Sequence, residues 1–497
     1  MTSIGSLSMI EEQSVLLSLS PEIVLLILEL LHDRPLLAVA CVCRSLHYLA
    51  LPTYLSRYGI STAGPQPPSL VLKDRSLAAL PGLCTALSIS SLDALSCTFD
   101  GPHQSHFIRS VRGLLRFVSR LTQVNTVTLN VGCVDARWID GLATASSKAW
   151  KPTFVRLLNA IIERGCTALN ITHGHFIVSI SPHLGPPSKR DRAFRAARTL
   201  LGLQRHPAAE ASDAAPPPPL HHLQSFSLHS NLLLSQPFCD WTLYTLNGCN
   251  ITALSIRLSG LPSTTWALIL PAISLPAMTT FTAETSDIAF PDLLAFLARH
   301  PALHTLNLHP QFSYPDAHAP VKPTQNTKKR PLLPHLATLG GSPRNVAALL
   351  AQLHPAPRLH TVTLVVPMRQ RVFQPTDLAA LNAHITDIVH YAQPRTLALR
   401  FAVPCETAGS RAASLLARTA GGLHSVETLA LGTDGHFAFV RWVAPALPAW
   451  LAGFPALRQV RLAPECVPGE SVKQARLLSA VKESCPGVLV SIGRLDE

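Results

Sequence analysis

The sequence predicts an α/β protein, with a small helical N-terminal domain followed by an irregular solenoid in which helices and parallel strands alternate. Three observations predict it. A short strand-like unit, apolar-x-x-apolar-x-apolar, recurs along most of the 497 residues. Amphipathic stretches of helical period lie between the copies, about 25 to 35 residues apart. A leucine-dense segment near the N-terminus carries helix punctuation instead of the strand unit.

Residues 1–14 read as a flexible tail and 15–60 as the helical domain. Ser20-Pro21-Glu22 is a helix start: a capping hydroxyl, a proline at the first helical position and a carboxylate near the positive helix end. Ile23, Leu26, Ile27, Leu30 and Leu31 then recur at helical steps. His32-Asp33-Arg34-Pro35 is expected to break this helix, Leu36 to Leu49 to form a second apolar run, and Pro52 to end the unit. A bundle of about forty residues cannot bury this much apolar surface by itself, so part of it needs a partner, either the rest of the chain or another protein.

Leu19-Ser20-Pro21-Glu22-Ile23, then Ile27 and Leu30-Leu31, then Leu36-Leu37-Ala38-Val39-Ala40-Cys41-Val42-Cys43-Arg44-Ser45-Leu46 resembles the F-box motif over about forty residues. It departs from the common form in a proline one position late and in Leu46, where many members carry Trp or Phe. The resemblance implies docking to the Skp adaptor of a cullin-RING ubiquitin ligase. By position, Leu19, Pro21, Ile23, Ile27, Leu31, Val42, Cys43 and Leu46 would form or support that surface. Cys43 reads as a small apolar residue in it rather than as a nucleophile.

Residues 61–91 read as a linker and entry to the repeats, and 92–497 as the repeat domain. Full copies begin at Leu92/Leu95/Cys97 and Val124/Val127/Leu129, and continue through Leu223/Phe226/Leu228 and Leu303/Leu306/Leu308 to Leu457/Val460/Leu462. Leu336/Leu339 and Leu397/Leu399 are partial copies, and Val488 to Ile492 is the last strand. Phe154 to Ile162, Leu293 to Leu297, Leu378 to Ile388 and Ala412 to Ala417 supply helices. The alternative, a doubly wound α/β domain, lacks a Gly-rich phosphate turn here and would need too many strands for one sheet.

The repeated unit resembles a divergent leucine-rich repeat, which implies a horseshoe with parallel strands on the concave face and helices outside. Side chains between the apolar positions would then face outward and form the candidate substrate surface: Asn130, Asn170, His229, Arg257, Asn307, His309, Arg400 and Arg461. Two stretches interrupt the repeats and read as disordered insertions. Residues 183–220 hold the basic cluster Lys189, Arg190, Arg192, Arg195 and Arg198, and 313–334 hold Lys328-Lys329-Arg330. Both basic runs read as solvated loops, the alternative being a nuclear-import address or a contact for nucleic acid.

Composition narrows the function classes. Hydrophobic residues make up 47% and charged residues 14%, which suits a folded chain. Lys and Arg exceed Asp and Glu by 41 to 29, a mild +12 over this length, so a nucleic-acid partner is not expected. The 11 cysteines form no Cys-x-x-Cys, and Glu11 and Glu12 precede the first apolar run. An intracellular protein of the cytoplasm, the nucleus or both is therefore expected, with no membrane partner.

The sequence contains no phosphate loop, dinucleotide fingerprint, His-Glu-x-x-His or Gly-x-Ser-x-Gly, so no catalytic residue, metal or cofactor is assigned. His173-Gly174-His175 and His221-His222 have no Cys, Asp or Glu at ligand spacing. The expected role is a non-catalytic substrate-recognition subunit of an SCF-type ligase. It would bind the Skp adaptor, and through it the cullin and RING subunits, and an unknown protein substrate. The alternative is a repeat scaffold with no ligase role.

Overall fold

A computed structural model describes residues 19–61, 69–99, 104–132, 145–174, 222–235, 238–258, 261–284, 288–308, 332–353, 359–367, 375–402, 423–433, 447, 451, 454–466 and 471–493. The expected tail, the insertion at 183–220, that at 313–334 up to Pro331, both basic clusters, His309 and the helix at Ala412 to Ala417 lie outside these residues. The described residues divide into two compact units, 19–167 and 168–493.

The first unit opens with three helices: α1 Pro21–Leu30, α2 Asp33–Ala40 and α3 Arg44–Ser56. Ser20 does sit at the N-cap of α1, but its side chain accepts no backbone hydrogen bond. The break between α1 and α2 is short, and Pro35 lies inside the first turn of α2, where a missing N–H costs nothing. Pro52 does not end the unit. α3 runs through it to Ser56, because the packing of Leu51, Tyr54 and Leu55 on either side of the proline outweighs one lost backbone bond.

The parallel sheet of this unit starts earlier than the repeat pattern, at β1 Ser69–Leu72. A 3₁₀ turn at Asp74–Ala79 and α4 Leu80–Thr85 lead into β2 Ser91–Thr98, then α5 Gln104–Arg120, β3 Gln123–Asn130 and α6 Ala145–Glu163. The strands pair in sequence order, with Leu72 opposite Cys97 and Cys97 opposite Leu129. Phe107 of α5 meets Phe99 after β2 at 5.1 Å and Trp150 of α6 at 5.5 Å, both edge to face. This aromatic cluster fixes α5 and α6 to each other and to the sheet.

The second unit holds β4 Ala168–Thr172, β5 Ser225–His229, α7 Phe238–Gly248, β6 Ala253–Ile256, α8 Ser263–Ala272, β7 Thr280–Ala283, α9 Phe290–Ala298 and β8 Thr305–Leu308. It continues with β9 Thr338–Gly341, α10 Pro343–Leu350, β10 Thr361–Pro367, α11 Pro375–Ala392, β11 Thr396–Ala402 and β12 Thr428–Thr433. β13 Gln459–Leu462, α12 Ser471–Ser484 and β14 Leu489–Ile492 complete it. Every strand pairs in parallel with its sequence neighbours.

The order never reverses within either unit, so there is no switch point of the doubly wound kind. Burial along the strands alternates between buried and partly exposed, as in β5, β6 and β13, which shows a sheet covered on one face. A doubly wound sheet is covered on both. The apolar positions of the strand copies and partial copies from Leu92 to Leu462 are buried, Leu306, Leu339, Val362 and Leu397 among them, while the last strand leaves Leu489 and Ile492 exposed.

The helices are tied to one another by a recurring device. An arginine at the end of one helix donates to backbone carbonyls at the end of an earlier one. Arg57 after α3 bonds the Leu28 and Glu29 carbonyls of α1. Arg120 of α5 bonds the carbonyls of Leu83, Cys84 and Ala86, and Arg299 after α9 bonds those of Leu270, Pro271 and Ile273. Each positive charge lies where the helix dipole favours it.

Candidate docking surface

The N-terminal helices have two apolar sides. The inward side is Val24 and Leu28 of α1, Leu36 and Ala40 of α2, and Leu46, Ala50, Leu51, Tyr54 and Leu55 of α3, all buried. Two partly buried contacts join α3 to the first repeat: Tyr54 donates its hydroxyl to the Ala78 carbonyl at 3.1 Å, and His47 Nε2 accepts from the Leu87 N–H at 3.4 Å. The other ring nitrogen of His47 meets the Ala40 carbonyl at 2.9 Å and closes the end of α2.

The outward side carries Ile23, Leu26, Ile27 and Leu30 of α1, with Val42 in the α2–α3 corner and Tyr48 of α3. Leu30 is 84% exposed and Val42 72%. Six large apolar side chains open to solvent over so short a stretch is the feature that marks interaction surfaces.

Of the sequence-predicted set, Pro21, Ile23, Ile27 and Val42 are exposed, while Leu19, Leu31 and Cys43 are half-buried. Leu46 is buried and underlies the surface rather than forming it. Leu26, Leu30 and Tyr48 complete the surface although the motif did not single them out as contacts. Their signal is that α1 is apolar on nearly all sides, which only a helix covered on both faces can use.

A polar clamp holds α1 in this orientation. Asp33 accepts from Tyr58 Oη at 2.6 Å and from Arg57 at 2.8 Å, and the same guanidinium bonds the α1 carbonyls. The Tyr58 bond first, and Arg57 second, hold the Asp33 carboxyl below its usual range. Burial, followed by the bond to Asp33, pushes the Tyr58 hydroxyl well above its own.

The second candidate surface is the less buried face of the sheet. In the first unit Asn130 is engaged locally, its Oδ1 accepting from the Gly132 N–H at 3.0 Å. In the second unit the strand ends bring His229, Ser255, Arg257 and Glu284 together on adjacent strands. His229 Nε2 lies 2.8 Å from Ser255 Oγ, and Arg257 pairs with Glu284 at 3.2 Å. Asn170 stands opposite Ser227 with its Oδ1 buried and without a hydrogen bond. Asn307 places its amide over Gly340 of the next strand, in the space a Cβ would take. Arg400 and Arg461 lie strands away from the His229 group.

The sequence reading missed a ladder of six threonines in register across β7 to β12: Thr280, Thr305, Thr338, Thr361, Thr396 and Thr428, each partly exposed.

Among the described residues no group of His, Cys, Asp and Glu could hold a metal ion, and no helix is long and apolar enough to cross a membrane. Burial pushes the thiols of Cys239 and Cys249 up to about 11, which leaves them protonated and unreactive at neutral pH. No protein-family model matches the chain, and no curated protein matches it.

Proposed function

We propose that this chain is a non-catalytic substrate-recognition subunit of an SCF-type ubiquitin ligase, docking the Skp adaptor through α1 and the α2–α3 corner and a substrate protein through the repeats. The observation that carries this reading is the outward apolar face of Ile23, Leu26, Ile27, Leu30 and Val42, which belongs to the segment resembling an F-box and which no described residue covers. A helix face of this kind is read by a partner groove through its anchors at steps of three and four residues. In this reading the strands line the concave face of a horseshoe, and the His229 group and the threonine ladder are its substrate-facing side chains.

Such a subunit acts by proximity. Holding substrate and activated ubiquitin together raises the effective concentration of the attacking amine, without catalytic groups on the receptor.

The scaffold reading, in which the N-terminal helices serve only to pack on the repeats, draws support from Tyr54 and His47, which do face the first repeat. It leaves the outward face of α1 unexplained. Co-expression with the Skp adaptor separates the two: recovery of a complex with the wild-type chain and its loss with Ile27→Glu supports docking, and no complex with either supports the scaffold.

A further inference from the structure

We propose that the outward face of α5 is a docking surface for an acidic protein segment. α5 contains no Asp or Glu, and its exposed side chains include His106, Arg109, Arg112, Arg116 and Arg120. Spacings of three and four residues put them in one row, neighbours about 5–6 Å apart at Cβ. From Arg109 to Arg120 the row is about 16 Å long. Arg156 of α6, the helix packed against α5, is exposed as well.

Among the described residues, one of these arginines has hydrogen-bond partners in the fold. Arg120 bonds the carbonyls that end α4. Arg109, Arg112 and Arg116 make no hydrogen bond or ion pair with a described residue. A row of like charges at helical spacing weakens the helix that carries it. α5 tolerates the row because its other side is anchored by Phe107, Val111, Leu114, Phe117 and Val118, all buried.

The chemistry of the face selects among anionic partners. A lipid surface binds helices that insert apolar side chains beside the charges, and the large apolar residues of α5 point into the core. Duplex nucleic acid is read by a helix that can enter the major groove, whereas α5 is packed against both α4 and α6. Single strands are held by bases stacking on aromatic rings, and no exposed ring stands on α5 beyond His106. A carboxylate meets a guanidinium fork through two parallel bonds, and α5 uses arginine throughout, with no lysine. The inference does not depend on the ligase reading.

The test is fluorescence anisotropy of a labelled poly-glutamate peptide titrated with the full chain, with duplex DNA, poly-uridine RNA and phosphatidylserine vesicles as competitors. The triple variant Arg109→Gln/Arg112→Gln/Arg116→Gln should bind the peptide about tenfold or more weakly and with a shallower salt dependence. Arg395→Gln/Arg458→Gln, which removes exposed charge elsewhere, should bind like the wild type. Single Arg112→Gln, a smaller change, is read in the same way if the triple variant loses its circular dichroism. No binding of the peptide, equal loss in both multiple variants, or more effective competition by nucleic acid or vesicles than by unlabelled peptide would overturn the proposal.

Discussion

Arg57 bonds Asp33 across 24 residues of chain, at 2.8 Å, and the same guanidinium reaches the last carbonyls of α1. One side chain thus joins the end of α3, the start of α2 and the end of α1. The apolar face of α1 is held by this junction, so its geometry depends on polar residues outside that face.

The junction has a pH signature. The Asp33 carboxyl is depressed in the folded state, so its contribution is complete above the unfolded value of about 3.9 and is lost as pH falls through the lower folded value. Urea melts of the wild type between pH 5 and about pH 2.5 should show this loss. Asp33→Asn should flatten that limb, and Arg57→Ala should lower stability at neutral pH by about 1–2 kcal/mol. An unchanged acid limb in Asp33→Asn would remove Asp33 from the account.

Gly82 lies against the ring of Tyr54, where an added Cβ would come within 2.5 Å of Cε1. Tyr54 is buried and bonded to Ala78, so it has little freedom to move aside. Gly82→Ala should therefore cost about 1–3 kcal/mol. A thermal melt identical to the wild type would mean that α3 and α4 pack more loosely than described.

Two arginines of the second unit should behave differently. Arg299 brings a charged donor to three backbone carbonyls at the end of α8, so Arg299→Ala should destabilise by about 1–3 kcal/mol. Arg257 pairs with Glu284 while mostly exposed, and Arg257→Ala should change stability by about 0–1 kcal/mol. Denaturant midpoints of the two variants measure the contrast, and the reverse order would contradict it.

His300 is buried, with one ring nitrogen 2.7 Å from the Phe296 carbonyl and the other accepting from the Leu275 N–H. Both bonds together require the neutral ring, and burial is the main cause that lowers its pKa. The unfolded chain then binds more protons, so stability is complete above about pH 6.5 and falls as pH drops towards the folded value. His300→Asn should be less stable at pH 7.5 and show a smaller decline between pH 7 and about pH 5. Parallel declines would place the titrating group elsewhere.

The strands up to β13 were legible because each apolar position repeats at a fixed offset and is buried on one face. β1 was not, because Leu70 and Leu72 lack the leading apolar residue of the unit. The orientation of α1 was not legible either. Its residues from Ile23 to Leu28 are all apolar, so periodicity cannot say that Val24 and Leu28 face the core while Leu26 and Leu30 face out. The arginine clamps escape any local pattern, since Arg57, Arg120 and Arg299 act on carbonyls 26 to 37 residues earlier.

The central claim is that the outward face of α1 docks an adaptor. Titration of the purified full chain with a purified Skp adaptor, for the wild type and for Leu30→Glu, tests it most directly, since Leu30 is exposed and its replacement leaves the core intact. The account predicts saturable binding by the wild type and a loss of about a hundredfold or more in the variant, as for a central interface anchor. Binding by neither protein, or equal binding by both with melting temperatures unchanged, would contradict it.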